Sequence, residues 1–283
     1  HPAFHGAGIH TGPVIGVEPP LPGPYPGVMM KRKYTQLILA ISAVTAFAFP
    51  AAGQDSGWKG QTVLVTGATR GLGLELARQL HEAGATVIGT ARKPGKADDL
   101  RELGVRVVQL DVADAASVAA MAGELEGVAI DAVLNNAGIF PERESFEDTD
   151  PETALQVYAV NSVGPLRVAQ ALMPHLRAGE AKLIMNMSSG LGSIANNTGG
   201  GYYGYRESKA ALNMFNRSLS AELRGDGFIC VVVHPGWVQT DMGGANAALT
   251  TEQSVSGIRA VISGLEPSDT GTFWNYDGEP LPW

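Results

Sequence analysis

The sequence predicts an α/β fold in which one domain is built on a doubly wound parallel sheet. From residue 60 onward, short runs of β-branched residues alternate with longer amphipathic segments, and several of the short runs are apolar throughout. Continuous apolar runs are typical of parallel strands that helices cover on both faces. Regular alternation of strand and helix implies right-handed crossovers. We find no internal repeat and no linker that would divide this sheet.

The predicted elements follow one another in a regular order. The strands are expected at Thr62–Thr66, Thr86–Thr90, Val105–Leu110, Ala132–Leu134, Lys182–Met187, Phe228–Val233 and Thr272–Tyr276. The helices are expected at Leu72–Ala83, Ala115–Leu125, Pro151–Leu176 and Arg206–Leu223. Asp114 is placed to cap the second helix, because an aspartate before the first turn can accept a hydrogen bond from a free backbone N–H.

Composition excludes several classes of protein. The 283-residue chain has a net charge of −8 and no basic block beyond residues 31–33, which argues against nucleic acid as a partner. Its single cysteine, Cys230, rules out an internal disulfide and argues against a cysteine zinc site. We expect no metal site.

The first 57 residues precede the alternating strands and helices and are interpreted separately. Residues 1–28 are rich in Pro, Gly and His and are expected to be a disordered tail. Residues 29–57 resemble a secretory signal, with a basic stretch at 31–33, an apolar run at 37–49 and small residues after it. The run is too short for a stable membrane span. Export to the periplasm is therefore expected, with a cytoplasmic location as the open alternative; a start at Met29 or Met30 would make residues 1–28 a non-native extension.

A glycine-rich turn joins the first strand to the first helix within Thr66–Gly73. Gly67 permits the tight turn, Gly71 lets the backbone approach a pyrophosphate, and Gly73 allows close packing of helix and strand. The helix N-terminus then offers free N–H groups to the anion. The glycine spacing differs from the common dinucleotide-binding pattern. The stronger indication of nucleotide binding is therefore the position of the turn between the first strand and the first helix.

The end of the second strand indicates which cofactor binds. An NAD enzyme usually has a carboxylate there for the ribose 2′-OH, whereas this strand ends in Ala91, Arg92 and Lys93. Arg70 lies in the glycine turn, and two arginines suit a 2′-phosphate. The sequence therefore favours NADP(H), with solvated surface arginines as the alternative.

A second group of residues suggests acid–base chemistry. Tyr205 and Lys209 are four residues apart, which places them on one face of a helix. A nearby ammonium is expected to lower the pKa of the tyrosine toward a catalytic range. Ser189 follows a strand at the edge where such sheets bind ligands, with Ser188 as a rival. Asn161 lies within a predicted helix, where asparagine is mildly unfavourable, so it is either functional or bends the helix.

Taken together, these residues resemble the short-chain dehydrogenase/reductase family, a Rossmann fold, over about residues 58–283. The matching features are TGATRGLG at 66–73, Asp111-Val112, NNAG at 135–138, Asn161, Ser189, Tyr205, Lys209 and the His234-Pro235-Gly236 turn through Thr240. The segment NMSSGLGSIANNTGGGYYGYRESKAALNM and the ending FWNYDGEPLPW are similar to the carbonyl-reductase-like branch that includes bacterial C-factor proteins.

The resemblance implies a role for each matching position. Tyr205 would be the general acid or base, Lys209 would lower its pKa and hold the nicotinamide ribose, Ser189 would polarise the substrate oxygen, and Asn161 would hold a water in a proton relay. Gly192, three residues after Ser189, favours Ser189 over Ser188. The cofactor would contact Gly67, Thr69, Arg70, Gly71, Leu72, Gly73, Arg92, Asp111, Val112, Asn136, Ala137, Gly138, Tyr205, Lys209, Pro235, Gly236, Val238 and Thr240.

The resemblance therefore implies an NADP(H)-dependent oxidoreductase. A substrate loop is expected at about residues 239–254, where small and apolar residues favour a small uncharged ketone, aldehyde or secondary alcohol. The family is often dimeric or tetrameric, so a homodimer or homotetramer is expected. The alternative is a non-catalytic protein that binds a nucleotide or acts as a C-factor-like signal on the same fold.

Overall fold

A computed structural model describes residues 57–141 and 145–283, and within these ranges it contains one parallel sheet. The strands are β1 (Thr62–Val65), β2 (Thr86–Ala91), β3 (Arg106–Gln109), β4 (Ala132–Asn135), β5 (Leu183–Met187), β6 (Ile229–His234) and β7 (Phe273–Asn275). Their order across the sheet is β3-β2-β1-β4-β5-β6-β7. The predicted fold class is confirmed. The predicted tail and signal-like segment lie outside the described residues, apart from residue 57.

Helices cover both faces of the sheet. They are α1 (Gly71–Glu82), α2 (Asp98–Glu102), α3 (Ala115–Glu124), α4 (Pro151–Tyr158), α5 (Gly164–Ala178), α6 (Tyr203–Leu223) and α7 (Thr251–Ser263). Asp114 caps α3 as predicted, because its carboxylate accepts a hydrogen bond from the N–H of Ala116 at 2.9 Å. In the part of the chain that the structure describes, no helix is both long and apolar enough to cross a membrane.

Alternating residues of each strand enter two separate cores. Val63 and Val65 of β1 pack into the core beneath α1, α2 and α7, whereas Leu64 between them packs into the core beneath α3 and α5. This follows from the two-residue period of a strand, which turns successive side chains to opposite faces. The strand order reverses between β1 and β4, so a crevice opens at the carboxyl ends of these strands, where such sheets bind ligands.

The substrate loop, predicted at about residues 239–254, is shorter in the structure. Its last residues belong to α7, which begins at Thr251 rather than beyond residue 254. Thr250 and Gln253 form a reciprocal capping box: the Gln253 N–H donates to the Thr250 hydroxyl at 3.1 Å, and the Thr250 N–H donates to the Gln253 side chain at 3.0 Å. This pair satisfies free backbone donors at the helix N-terminus and fixes where the loop ends.

The predicted helix over Pro151–Leu176 is not continuous. The structure separates α4 from α5 by a five-residue π-helical segment, Ala159–Val163, which contains Asn161. Such wide turns are frequent at functional sites. Asn161 is therefore in an irregular segment rather than in an ordinary α-helix.

Candidate active site

A cavity of about 580 Å³ opens at the carboxyl ends of the strands. Most of the residues that the family resemblance implies for the cofactor line it: Gly67, Thr69, Arg70, Gly71, Leu72, Gly73, Arg92, Asp111, Val112, Asn136, Ala137, Gly138, Tyr205, Lys209, Pro235 and Thr240. Its volume lies within the usual range of ligand pockets, roughly 300–1,000 Å³. Residues from six loops and both halves of the sheet are thus brought to one place.

The glycine turn forms a cradle that side chains would fill. Gly67 and Gly71 have left-handed backbones, with φ of 65° and 54°. A Cβ on Gly73 would overlap the carbonyl oxygen of Gly67 and come within 2.6 Å of the Asn136 amide nitrogen. The first turn of α1 lines the cavity, so its backbone N–H groups can receive an anion.

Thr66 and Asn136 fasten this cradle to the neighbouring strand. The Thr66 hydroxyl accepts hydrogen bonds from the N–H groups of Asn136 and Ala137, both at 3.0 Å. In return the Asn136 side chain donates to the carbonyls of Thr66 and Gly67, at 3.0 and 3.2 Å. The Asn136 side chain thus supports the glycine turn from the side.

Two arginines, Arg70 and Arg92, line the end of the cavity where adenosine would lie, and the acidic Asp111 and Asp241 line the same cavity. Arg92 is exposed at its edge, beside Thr90 and Ala91, which sequence reasoning did not single out. Arg70 forms an ion pair with Asp241 of the substrate loop, with 3.0 Å between guanidinium and carboxylate, and both side chains are about three-quarters exposed. This contact links the glycine turn to the substrate loop across the mouth of the cavity.

Besides Thr90, Ala91 and Ser188, ten residues of the cavity wall were not named as cofactor contacts: Leu74, Glu75, Leu110, Ile139, Val160, Met187, Gln239, Asp241, Met242 and Thr251. Ile139 follows the Asn136–Gly138 turn, and Gln239, Asp241 and Met242 lie in the substrate loop. The signal available for the last three was their place in the expected loop. Gly236 and Val238 do not line the cavity but stand behind its wall: Gly236, with φ of 79°, packs beside Leu249 and Tyr276.

Tyr205 and Lys209 line the cavity, and Ser189, which does not line it, contacts Tyr205. All three are buried, with 7%, 5% and 7% of their surface exposed for Tyr205, Lys209 and Ser189, respectively. The hydroxyls of Ser189 and Tyr205 are hydrogen-bonded to each other. The Lys209 ammonium donates to the carbonyl of Met187 at 2.7 Å and lies 5.7 Å from the centre of the Tyr205 ring. The structure thus brings two hydroxyls and one ammonium together.

Ser188, the rival to Ser189, lines the cavity but turns its hydroxyl away from Tyr205. It donates to the Asn213 side chain at 2.6 Å, inside the protein. The Ser189 hydroxyl instead accepts from the N–H of Leu191 at 3.1 Å, which fixes it at the start of the turn Gly190–Gly192. Only Ser189 therefore presents its hydroxyl to Tyr205.

The pKa of Tyr205 in the structure differs from the sequence-based prediction, and the pKa of Lys209 is shifted as well. Burial raises the pKa of Tyr205 to about 12, although its hydrogen bond with Ser189 acts in the opposite direction. Burial also lowers the pKa of Lys209 to about 8. The predicted lowering of the Tyr205 pKa by Lys209 is thus not found in this arrangement, because removal of the phenolate from water outweighs the hydrogen bond with Ser189.

Asn161 is fully buried and supports the cavity wall. Its side-chain oxygen accepts from the Ile139 N–H at 2.9 Å, and its amide donates to the Ile139 carbonyl at 2.9 Å and to the Ser208 hydroxyl at 3.1 Å. A Cβ on Gly138 would lie 3.3 Å from the Asn161 oxygen and 3.8 Å from the Lys209 nitrogen, so Gly138 permits this close approach.

The residues present fit an NADP(H) molecule. The glycine cradle and the N-terminus of α1 suit a pyrophosphate, the two arginines at the adenosine end suit a 2′-phosphate, and the buried hydroxyls lie at the opposite end. Within residues 57–141 and 145–283, no group of three acidic, histidine or cysteine side chains is arranged to hold a metal ion.

Comparisons with known proteins agree with this geometry. Residues 61–249 match the profile of the family described as short chain dehydrogenase. The C-signal protein of Myxococcus xanthus is 46% identical over 154 residues, which are 54% of this chain and 93% of that protein. The carbonyl reductase Sniffer of D. melanogaster is 34% identical, with a TM-score of 0.75, over 80% of this chain and 100% of that one. An NADPH-bound carbonyl reductase from chicken fatty liver is 35% identical, with a TM-score of 0.74 and the same coverages.

Proposed function

The chain belongs to the short-chain dehydrogenase family and is an oxidoreductase that uses NADP(H), and we propose that it transfers a hydride between this cofactor and a small uncharged ketone, aldehyde or secondary alcohol. The observation that carries the proposal is the buried Ser189–Tyr205 hydroxyl pair, with the Lys209 ammonium beside it, at the inner end of a cavity that fits a dinucleotide.

The apolar surroundings of the hydroxyl pair support an uncharged substrate. Ile139 and Met242 line the cavity and are 36% and 48% exposed, and Phe140 packs against Tyr205. The cationic side chains that line the cavity are Arg70 and Arg92 at the adenosine end and Lys209, whose ammonium is bound to Met187. A carboxylate on the substrate would thus lose water near Tyr205 with little compensation.

We assign the catalytic roles to the residues of this chain as follows. NADPH, when bound, supplies a hydride to the carbonyl carbon, and the oxidised form accepts one from an alcohol. Tyr205 donates the proton to the substrate oxygen, because its high pKa keeps the hydroxyl protonated at neutral pH. Ser189 donates a hydrogen bond to the same oxygen and holds it next to Tyr205.

Lys209 and Asn161 complete this proposed machinery. The Lys209 ammonium holds the ribose next to the nicotinamide and stabilises the phenolate that forms when Tyr205 loses its proton. Asn161 positions the wall at Ile139, and its side-chain oxygen can accept one further hydrogen bond, from a water of the proton relay. Each role remains a proposal that a substitution can test.

Replacement of Tyr205 tests the mechanism. In the full chain, Tyr205→Phe removes one hydroxyl and keeps the ring, so kcat for carbonyl reduction is expected to fall roughly 100- to 10,000-fold while NADPH binding persists. A matched control is Tyr203→Phe, because Tyr203 lies on the same helix but outside the cavity lining. Turnover is followed by the loss of NADPH absorbance, and full activity of Tyr205→Phe would refute the mechanism.

A second candidate function is a signalling protein on the same fold, favoured by the 46% identity to the C-signal protein. Such a protein would need the cradle for a nucleotide, but it would have no need of a buried hydroxyl pair at the nicotinamide end. A biological activity that survives Tyr205→Phe while turnover is lost would support this second function.

We extend the proposal to location and assembly. Residues 30–53 would act as an export signal, because basic residues precede an apolar run and small residues. Sequencing the N-terminus of the mature protein tests this, with a cytoplasmic enzyme as the alternative.

A homodimer or homotetramer is supported by three large apolar side chains on the adjoining helices α4 and α6. They are Leu155, Tyr158 and Met214, which are 60%, 43% and 67% exposed. Light scattering coupled to gel filtration measures the state.

A further inference from the structure

A strained backbone precedes the helix that carries Tyr205. Gly200, Gly201 and Tyr202 are consecutive residues with left-handed φ values of 59°, 70° and 54°. Two glycines adopt this conformation freely, whereas tyrosine does so at a cost, because its Cβ crowds the following carbonyl. Strain of this kind persists when surrounding contacts fix it, and it clusters at functional sites.

Arg206 supplies the contacts that fix this turn. Its side chain donates to the carbonyl of Gly201 at 3.0 Å and to that of Leu191 at 3.3 Å, and its backbone N–H donates to the carbonyl of Tyr202 at 2.8 Å. Leu191 belongs to the turn that Ser189 begins. Arg206 thus connects the strained turn to the loop that carries the second catalytic hydroxyl.

The strained turn places the Tyr202 ring in an aromatic cluster that touches the site. Tyr202 packs on Phe140 with 5.4 Å between ring centres, and Phe140 meets Tyr205 edge to face at 4.5 Å. Phe140 and Tyr202 are both half-buried, so the pair keeps an exposed aromatic surface next to the buried Tyr205. Neither ring lines the cavity itself, and the pair adjoins the site through the contact of Phe140 with Tyr205. A carbonyl group held by Tyr205 and Ser189 outside the cofactor cavity would present one of its substituents to this surface.

We propose that Phe140 and Tyr202 determine substrate specificity, by forming an aromatic wall that selects carbonyl compounds with an aromatic ring attached to the reacting carbon. Rings that pack edge to face or offset interact more favourably than a saturated group of equal size. In its left-handed conformation Tyr202 places its ring on Phe140, so the strained backbone and the aromatic contact occur together. This inference rests on the proposed reductase function and deepens it.

The test compares two aldehydes of similar size, benzaldehyde and cyclohexanecarbaldehyde, with NADPH and the full chain. Tyr202→Gly suits the left-handed backbone and removes the ring. We expect it to lower the ratio of kcat/KM for the aromatic aldehyde to that for the saturated aldehyde about tenfold. The KM for NADPH should not change.

Lys182→Gly is the matched control. Lys182 is the other non-glycine residue of the described ranges with a left-handed backbone, at φ of 49°. It lies before β5 and does not line the cavity. Its substitution should leave the substrate ratio unchanged. Phe140→Leu provides a second variant that keeps the apolar volume without a ring, and it should lower the ratio in the same direction even where Tyr202→Gly impairs folding.

The outcomes separate the two proposals. A wild-type chain that reduces both aldehydes, with a ratio that neither Tyr202→Gly nor Phe140→Leu alters, would overturn the aromatic wall and leave the reductase function standing. A wild-type chain that binds NADPH but reduces neither aldehyde would overturn the aromatic wall, whereas the reductase function would fall only if no small ketone, aldehyde or secondary alcohol were turned over. A fall in the ratio with both variants, and not with the control, is the result that we expect.

Discussion

The ammonium of Lys209 donates a hydrogen bond to the backbone carbonyl of Met187 at 2.7 Å, and this bond joins helix α6 to the end of strand β5. Tyr205 lies one helical turn before Lys209, and Ser189 lies two residues after Met187. A single buried contact therefore joins the helix that carries Tyr205 to the strand that precedes Ser189, the two residues proposed as catalytic. It gives Lys209 a structural part in addition to its charge.

Lys209→Met removes this contact at nearly constant volume. Two effects on stability oppose each other: an unpaired carbonyl at Met187 costs about 1–3 kcal/mol, whereas relief of the buried ammonium, whose pKa is lowered to about 8, returns about 3 kcal/mol. The net change in unfolding free energy should be small. kcat should nevertheless fall about 100-fold or more, because the phenolate loses its cation.

Lys182→Met is the control for this substitution, because Lys182 also donates to a backbone carbonyl, that of Asp226 at 2.9 Å, but outside the cavity lining. Steady-state kinetics and urea unfolding of the two variants separate catalysis from stability. An unchanged kcat in Lys209→Met would contradict the assigned role.

His234, at the end of β6, should make stability depend on pH. Burial lowers its pKa in the folded chain from 6.5 to about 4, and Asp277 opposes this shift in part. The unfolded chain therefore takes up the proton first as the pH falls. The resulting stability is fully present above pH 6.5 and is lost as the pH falls toward 4, by about 3 kcal/mol.

Urea unfolding of the wild type and His234→Gln near pH 7 and near pH 4 measures this contribution. The variant lacks the titrating group, so its unfolding free energy should fall by about 3 kcal/mol less than that of the wild type over the same interval. Equal losses in the two proteins would show that His234 is not the group responsible.

Gly73→Ala should abolish NADPH binding, because the added methyl group would overlap the carbonyl of Gly67 and force the cradle apart. Gly123 of α3 provides the comparison, since a methyl group there would meet open space. Gly123→Ala should keep full binding and gain roughly 0.5–1 kcal/mol of stability from the lower entropy of the unfolded chain. Fluorescence titration with NADPH distinguishes the two, and tight binding by Gly73→Ala would argue against the cradle.

The sheet was predictable because its signals are local. Each strand is a short apolar run that must be covered on both faces, and all seven predicted runs overlap observed strands. Helix α7 was missed although Thr250 and Gln253 form a recognisable capping pair, because the substrate loop was extended through them. Helix α2 has five residues, too few for a periodic pattern.

The sequence predicted the site residues that belong to motifs. It did not predict the properties of the site that depend on burial or on contacts between loops. The motif residues Tyr205 and Lys209 do converge with Ser189, but the pKa of Tyr205 depends on how much water the fold removes, which spacing does not report. The ion pair of Arg70 with Asp241 likewise depends on how two distant loops approach each other. Both the pKa of Tyr205 and the partner of Arg70 are thus set by tertiary structure, which residue spacing and charge alone do not specify.

The central claim is that the cavity binds NADP(H) through its arginines, and fluorescence titration of the full chain with NADPH and, separately, with NADH tests it most directly. Arg70 can exchange Asp241 for a 2′-phosphate, and Arg92 stands exposed at the same end. NADPH should bind about tenfold tighter than NADH or better, equivalent to about 1.4 kcal/mol. NADH binding that is as tight or tighter would contradict the claim, and so would an absence of binding by either.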